Sequence, residues 1–163
     1  MSSGKIVLDV VREPRNEAHT ELLGFVGRLG TVALLVVRRE TAFNTQGQNC
    51  LDELSPWLIE SIQASSWPGT QLLGHTATLH RFRIDERFLG HIGNLASGLF
   101  DWQQPDRPED LCVLRSDGST VLETIAHERN ARLYLTPSEW AAMQQQTPQA
   151  SALLRRIEAN ETL

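Results

Sequence analysis

The sequence predicts a single α+β domain in which helices pack on a mixed β-sheet. Strand-like and helix-like segments alternate through the first part of the chain, which is typical of a sheet covered by helices. Two turn-like segments then separate three short apolar runs over residues 111–135, which predicts a C-terminal antiparallel meander. The chain has 163 residues, of which 40% are hydrophobic and 21% are charged, and this length and composition are ordinary for one folded domain.

The N-terminal part is predicted to alternate strands with helices. Residues 5–11 favour a strand, and Asn16 is placed to cap a helix whose apolar face recurs at helical spacing up to Leu29. Residues 31–37 are apolar on both faces, which indicates a central strand. The sequence further predicts a polar loop over 41–50, a short helix from Ser55 to Ala64, a type II turn at 67–70, a strand over 72–84 and a helix capped by Asp85.

The C-terminal part carries the strongest turn signal, the pair Asp117-Gly118 between two strand-like runs. A second turn is predicted at residues 127–130, with Asn130 in the left-handed conformation. The remaining predicted elements are a strand over 132–135, a helix that begins with the capping box Thr136-Pro137-Ser138-Glu139, and a last helix from Thr147-Pro148 that buries Leu153, Leu154 and Ile157.

A polar connector over residues 101–110 contains two prolines. We predict that it is an internal loop of one domain spanning residues 1–163, because the segment beyond it is short for an independent core.

Charge and composition exclude several classes of protein. Fifteen basic residues (Lys+Arg 15) against twenty acidic ones (Asp+Glu 20) give a net charge of −5, which argues against a nucleic-acid-binding protein. No apolar run approaches the ~20 residues of a membrane-spanning helix. Asp9 interrupts the first apolar run, so we predict no signal peptide and a cytoplasmic location. Two cysteines without a CxxC pair predict reduced thiols.

The common catalytic and metal-binding motifs are missing from the sequence. Its five histidines form no HExxH or His-x-His pattern, and it has no Gly-x-Ser-x-Gly elbow, P-loop or dinucleotide fingerprint. We therefore predict no metal and no cofactor. Cys112 lies inside a predicted strand and is expected to be a buried structural thiol, whereas Cys50 ends a predicted loop and is expected to be more exposed.

Two groups of residues are candidates for function. In the first, the carboxylate of Glu128 follows His127 and could orient the imidazole for acid–base chemistry. In the second, Trp102 is expected to be exposed in the acidic connector, where it would anchor a basic protein partner. The residues of this predicted contact surface are Trp102, Asp101, Asp106, Glu109, Asp110 and Arg129.

One segment resembles a known group of proteins. The residues 108–112 (Pro-Glu-Asp-Leu-Cys), Gly118 and 125–128 (Ile-Ala-His-Glu) are similar to a C-terminal module of small uncharacterised bacterial proteins, some of which are immunity proteins of contact-dependent toxin systems. This resemblance implies a non-enzymatic bacterial protein-binding module, and it assigns no catalytic residue. The alternative is a small hydrolase or transferase with an acid–base site at His127 and Glu128.

Overall fold

A β-sheet of eight strands runs through the computed structural model, which describes residues 4–157. Helices cover the sheet, so the predicted α+β class is confirmed. Every described pair of neighbouring strands is antiparallel. The prediction of a mixed sheet is therefore wrong. The first two strands do run in the same direction, but three other strands lie between them in the sheet. A β-α-β order along the chain therefore creates no parallel pair here.

The described chain contains five α-helices and ten strands. The helices are α1 (Glu17–Leu29), α2 (Thr45–Leu54), α3 (Glu86–Leu95), α4 (Pro137–Gln146) and α5 (Pro148–Ser151). The strands are β1 (Ile6–Val10), β2 (Val32–Val37), β3 (Leu58–Ala64), β4 (Ser66–Trp67), β5 (Thr70–Gln71), β6 (Ala77–Arg83), β7 (Glu109–Leu114), β8 (Thr120–Ile125), β9 (Asn130–Leu135) and β10 (Leu154–Arg156). Short 3-10 turns occupy Ser55–Trp57, Leu99–Asp101 and Ala126–Glu128.

The strand order in the large sheet is β10-β1-β9-β8-β7-β2-β6-β3, and β4 and β5 form a separate hairpin. The prediction of a central strand at residues 31–37 is confirmed, because β2 lies between β7 and β6 and residues 33–36 are buried. The predicted meander is confirmed as β7, β8 and β9. Gly118 has φ 88 in its first turn, a conformation that glycine adopts without steric cost.

The sheet has a buried core on each face. The larger core packs α1, α3 and α4 against one face, and residues such as Leu22, Phe88 and Trp102 fill it. The smaller core lies on the other face, where Trp67 and Leu72 of the β4–β5 region cover Leu34 and Leu79. The hairpin therefore takes the place that a helix occupies on the opposite face.

Between residues 41 and 64, the segment predicted as a loop contains a helix, and the segment predicted as a helix contains a strand. The predicted polar loop contains helix α2, which Asn44 caps by accepting a hydrogen bond of 2.9 Å from the N–H of Gly47. The predicted helix from Ser55 to Ala64 is instead a 3-10 turn followed by β3. Leu58 and Ile62 are spaced as on a helix, but pairing with β6 satisfies the backbone of this segment. Tertiary strand pairing thus outweighs the local apolar period.

Several element boundaries also differ from the prediction. The strand expected over 72–84 is β6, which begins only at Ala77. The last helix is one turn long, and the segment that holds Leu154 is β10. Arg129 takes the left-handed conformation predicted for Asn130.

The helix caps were predicted with mixed success. Asn16 precedes α1 without a side-chain cap. The cap of α3 is confirmed, since Asp85 accepts a hydrogen bond from the N–H of Phe88. The Thr136–Glu139 capping box is confirmed as well.

Candidate functional site

The predicted exposed surface around Trp102 is wrong. Trp102 is fully buried in the larger core, and its carbonyl accepts a hydrogen bond from the N–H of Asp110 at 3.3 Å. Asp110 is also fully buried and Glu109 is 5% exposed. The prolines do keep the connector irregular, but β7 begins at Glu109 and draws the end of the connector into the sheet. The Trp102 indole therefore cannot act as an exposed anchor for a partner, and these two carboxylates are not on the surface.

The other predicted contact residues are engaged within the fold. Asp101 makes a bidentate pair with Arg15, with both hydrogen bonds at 3.1 Å. Asp106 accepts a hydrogen bond from the side chain of Asn44. The guanidinium of Arg129 lies 5.1 Å from the ring centroid of Phe100. These contacts fix the connector against its neighbours.

The structure instead gathers three carboxylates around Arg38, at the end of β2. The Arg38 Nε lies 3.0 Å from Glu109 Oε2, and its other nitrogens lie 3.7 Å from Asp110 and 3.5 Å from Glu40. The guanidinium also lies 5.1 Å from the ring centroid of Trp67, within cation–π distance. The Arg38 guanidinium is therefore held from several sides.

A cleft of about 360 Å³ opens beside this group of charges. We call it the Glu109 cleft. Burial, and then the nearby charge of Asp110, raise the pKa of the Glu109 carboxyl. Its lining residues are Arg38, Glu40, Thr41, Gln103, Gln104, Glu109 and His127.

The predicted pair His127 and Glu128 lies within ion-pair distance, at an exposed site. The Nε2 of His127 is 3.9 Å from Glu128 Oε1, and both side chains are about half exposed. His127 lines the Glu109 cleft, whereas Glu128 is not among the lining residues. The carboxylates that line the cleft together with His127 are therefore Glu40 and Glu109.

Sequence reasoning missed the Glu109 cleft, although a signal for it exists. Arg38 directly follows the central strand, and Glu109 is the first residue of the first strand of the meander. If those two strands are antiparallel neighbours, the end of one meets the start of the other, and the two side chains become neighbours. The strand order of the structure is needed to know that the two strands are antiparallel neighbours.

A second exposed feature is the free edge of β3. Within residues 4–157, this strand pairs with β6 alone and ends the sheet. Six of its seven residues are exposed. Three of these are large and apolar, Leu58 at 43%, Ile59 at 53% and Ile62 at 38% exposure.

A further cavity of about 520 Å³ lies at the start of α1. Its carboxylates already have partners, since Glu21 accepts hydrogen bonds from the backbone of Gln149 and Ala150, and Glu17 accepts one from the side chain of Gln149. Burial lowers the pKa of His19, which lines this cavity. The two carboxylates therefore join α1 to α5.

Both cysteines are buried. Cys112 is fully buried as predicted, and burial raises the pKa of its thiol to about 12. Cys50 was expected to be more exposed, but it is only 7% exposed because it lies in α2 and not in a loop. Burial raises its pKa as well. Neither thiol has the exposed, low-pKa setting of a nucleophile.

Within residues 4–157, no three His, Cys, Asp or Glu side chains converge as metal ligands would. The helices in the same range lack the combination of length and apolar character that a membrane crossing requires. No family model matches the chain, and no curated protein or solved structure matches it significantly.

Proposed function

We propose that this protein is a non-enzymatic protein-binding module whose partner adds a strand to the free edge of β3. The observation that carries the proposal is the exposure of β3, the longest edge of the sheet, with its apolar side chains in solvent. An edge strand presents unpaired N–H and C=O groups to a second chain. Addition of an extended segment to such an edge is a general mode of peptide recognition.

Natural sheets protect their edges with short strands, charges, proline or bulges. The opposite edge, β10, follows this rule, since it has three residues and two of them are arginines. In contrast, β3 has seven residues, with no proline and no basic residue. A bulge is confined to its start, between Leu58 and Glu60, and residues 60–64 pair regularly with β6.

The charge of β3 is already compensated. Its single charged side chain, Glu60, accepts a hydrogen bond of 2.7 Å from Arg81 on β6. Ile62 lies directly opposite Leu79, so both side chains are on the face of the smaller core. The edge therefore favours a neutral partner strand with an apolar side chain next to Ile62, and affinity would come mainly from main-chain hydrogen bonds.

The proposed function is a protein-binding module, as the sequence resemblance implies, but the proposed contact surface is β3 and not the connector. Neutralisation of a toxin, as by an immunity protein, stays a prediction. The hydrolase or transferase alternative also stays a prediction, and the half exposure of both His127 and Glu128 gives it no support.

Partner capture with matched variants tests the proposal. The wild type, Ile62→Lys and Val11→Lys are used as baits in extracts of the source cell. Val11 is 57% exposed and follows β1, far from β3 in the strand order. We expect Ile62→Lys to lose the partner and Val11→Lys to retain it, since a lysine on the edge disfavours strand addition.

Amide hydrogen exchange of the purified complex then locates the contact. We expect slower exchange at residues 58–64 in the complex than in the free protein. A partner that leaves these amides unprotected contradicts the proposal. Sedimentation of the isolated protein reveals a second copy on the edge, and a dimer that Ile62→Lys dissociates would make β3 a self-association surface instead.

A further inference from the structure

We propose that the Glu109 cleft is a binding site for a small organic cation with N–H donors, an alkylammonium or a guanidinium group. The proposal is independent of the β3 edge, because the cleft residues lie in the segment after β2, in the connector, at the start of β7 and in the turn after β8. It extends beyond a protein-binding role, since the ligand is defined by its charge and its donors.

The carboxylates of Glu40, Glu109 and Asp110 surround the guanidinium of Arg38. Glu40 is about half exposed and also lies 3.6 Å from His75, whereas Glu109 and Asp110 are buried and share Arg38 as their ion-pair partner. Two buried carboxylates beside one guanidinium leave an excess of negative charge, although a protein interior favours paired carboxylates. An anion would meet an Arg38 side chain that is already paired with carboxylates, whereas a cation would pair with the remaining carboxylate charge.

The two buried carboxylates, Asp110 and Glu109, differ in their hydrogen bonding. Asp110 is satisfied, because its two oxygens accept from Ala126 N–H at 2.9 Å and Trp67 Nε1 at 3.1 Å. Glu109 Oε2 forms an ion pair with Arg38 Nε at 3.0 Å, but the two atoms are not aligned as in a hydrogen bond, and neither has another hydrogen-bond partner within residues 4–157. The side chain of Glu109 is only 7% exposed. A buried carboxylate without an aligned donor lines the cleft, and a ligand N–H would supply one.

The size and the lining of the Glu109 cleft suit a small cation. A cavity of about 360 Å³ admits a small group on a slender stem, since it lies near the lower end of the ~300–1,000 Å³ of ligand clefts. The amide nitrogen of Gln103 donates to the carbonyls of Phe100 and Ala126, at 2.7 and 3.3 Å. These bonds hold the Gln103 side chain at the cleft wall, where its oxygen is an acceptor.

A proton on Glu109 is the natural competitor of such a cation. Burial and Asp110 raise the pKa of Glu109, so a bound cation that favours the ionised form releases a proton. The other charged or titratable groups at the cleft are Arg38, Glu40, Asp110 and His127.

Methylguanidinium and ethylammonium chlorides are the probes, with tetramethylammonium chloride and sodium chloride as controls of equal charge without N–H donors. Chemical shifts of the Arg38 and Ala126 amides report binding. We expect saturable shifts with a dissociation constant on the order of 1 mM for the first two salts, and no saturation with the controls. Equal responses to all four salts would overturn the proposal.

Glu109→Gln is the diagnostic variant, and Glu128→Gln is its matched control outside the cleft lining. Loss of a charged acceptor weakens binding at least about tenfold in Glu109→Gln, and the control binds like the wild type. Wild-type affinity in Glu109→Gln contradicts the inference.

Calorimetry of the wild type in two buffers of different ionisation enthalpy measures proton release without any variant. We expect release in moderately acidic buffer, and binding without release contradicts the inference. A peptide with one central arginine, blocked at both ends, is compared with free methylguanidinium. Tighter binding of the peptide identifies a protein side chain as the source of the cation, and tighter binding of the free ion identifies a small molecule.

Discussion

The indole Nε1 of Trp67 donates a hydrogen bond of 3.1 Å to Oδ2 of Asp110, and both side chains are buried. The other oxygen of this carboxylate accepts from the N–H of Ala126. One side chain therefore joins the β4–β5 hairpin, β7 and the turn after β8. Asp110 has φ 57, a left-handed conformation that Asp tolerates better than most residues.

We expect Asp110→Ala to lower the free energy of unfolding by about 3–5 kcal/mol, because it leaves Trp67 Nε1, Ala126 N–H and part of Arg38 unpaired in a buried setting. Asp110→Asn keeps the short polar side chain and one acceptor, and it should cost less. Urea unfolding followed by tryptophan fluorescence measures both. A loss below about 1 kcal/mol in Asp110→Ala would show that the carboxylate is dispensable.

Trp102 is a core residue, and its removal is expected to act on stability. Trp102→Ala should lower the free energy of unfolding by about 3–5 kcal/mol through lost burial and a cavity. Trp102→Phe should cost less, because it also removes an indole N–H that has no partner among the described residues. Calorimetric unfolding of the variants measures this order. Lost partner binding at an unchanged melting temperature would restore the contact role.

Leu35 is fully buried in the central strand, between β6 and β7. Leu35→Asp places an unpaired charge there and should cost at least about 4 kcal/mol, enough to unfold the domain. Ile59→Asp is the matched control at a site 53% exposed, where a change within about 0.5 kcal/mol is expected. Circular dichroism and thermal melts compare the two. Equal stability of both variants would refute the central placement.

The two thiols are expected to be unreactive in the native state. Burial raises the pKa of Cys112 to about 12 and also raises that of Cys50, so the thiolate is scarce and shielded. A colorimetric disulfide reagent at mildly alkaline pH should label neither thiol rapidly, and both should react in urea. If the native protein is labelled slowly, the Cys50→Ala variant shows which of the two thiols reacts. Fast labelling of Cys112 would contradict its burial.

Glu109 is expected to make stability depend on pH in an uncommon direction for a carboxyl. Burial and Asp110 raise its pKa in the folded state, so the folded protein holds the proton more tightly than the unfolded chain. Stability from this group is present below the unfolded pKa of about 4.3 and is lost as the pH rises through the folded pKa. Glu109→Gln should therefore gain stability relative to the wild type at neutral pH, and the gain should vanish in acid. Urea unfolding across this range measures the difference, and a loss at neutral pH contradicts the sign.

The sequence identified only part of the candidate site. The sequence singled out His127 and placed it in a turn, which the structure confirms in location. It paired His127 with Glu128, because neighbours along the chain are all that a sequence displays. Glu109 reaches the same cleft from another strand. The free edge of β3 was hidden for a similar reason, since an edge is defined by the absence of a neighbouring strand.

The sequence by itself determined the features that short-range chemistry controls. The Asp117-Gly118 turn, the Asp85 cap and the Thr136–Glu139 capping box depend on hydrogen bonds within a few residues, and all three are present. Residues 33–36 are buried because a strand that is apolar on both faces must be covered on both.

Only the tertiary structure decided what long-range contacts control. Residues 58–64 form a strand because β6 supplies their partners, despite a helix-like apolar spacing. Trp102 is buried because the connector joins β7, and Glu109 faces Arg38 because β7 lies antiparallel to β2. In each case the free energy comes from groups distant along the chain, whose proximity a local pattern does not contain.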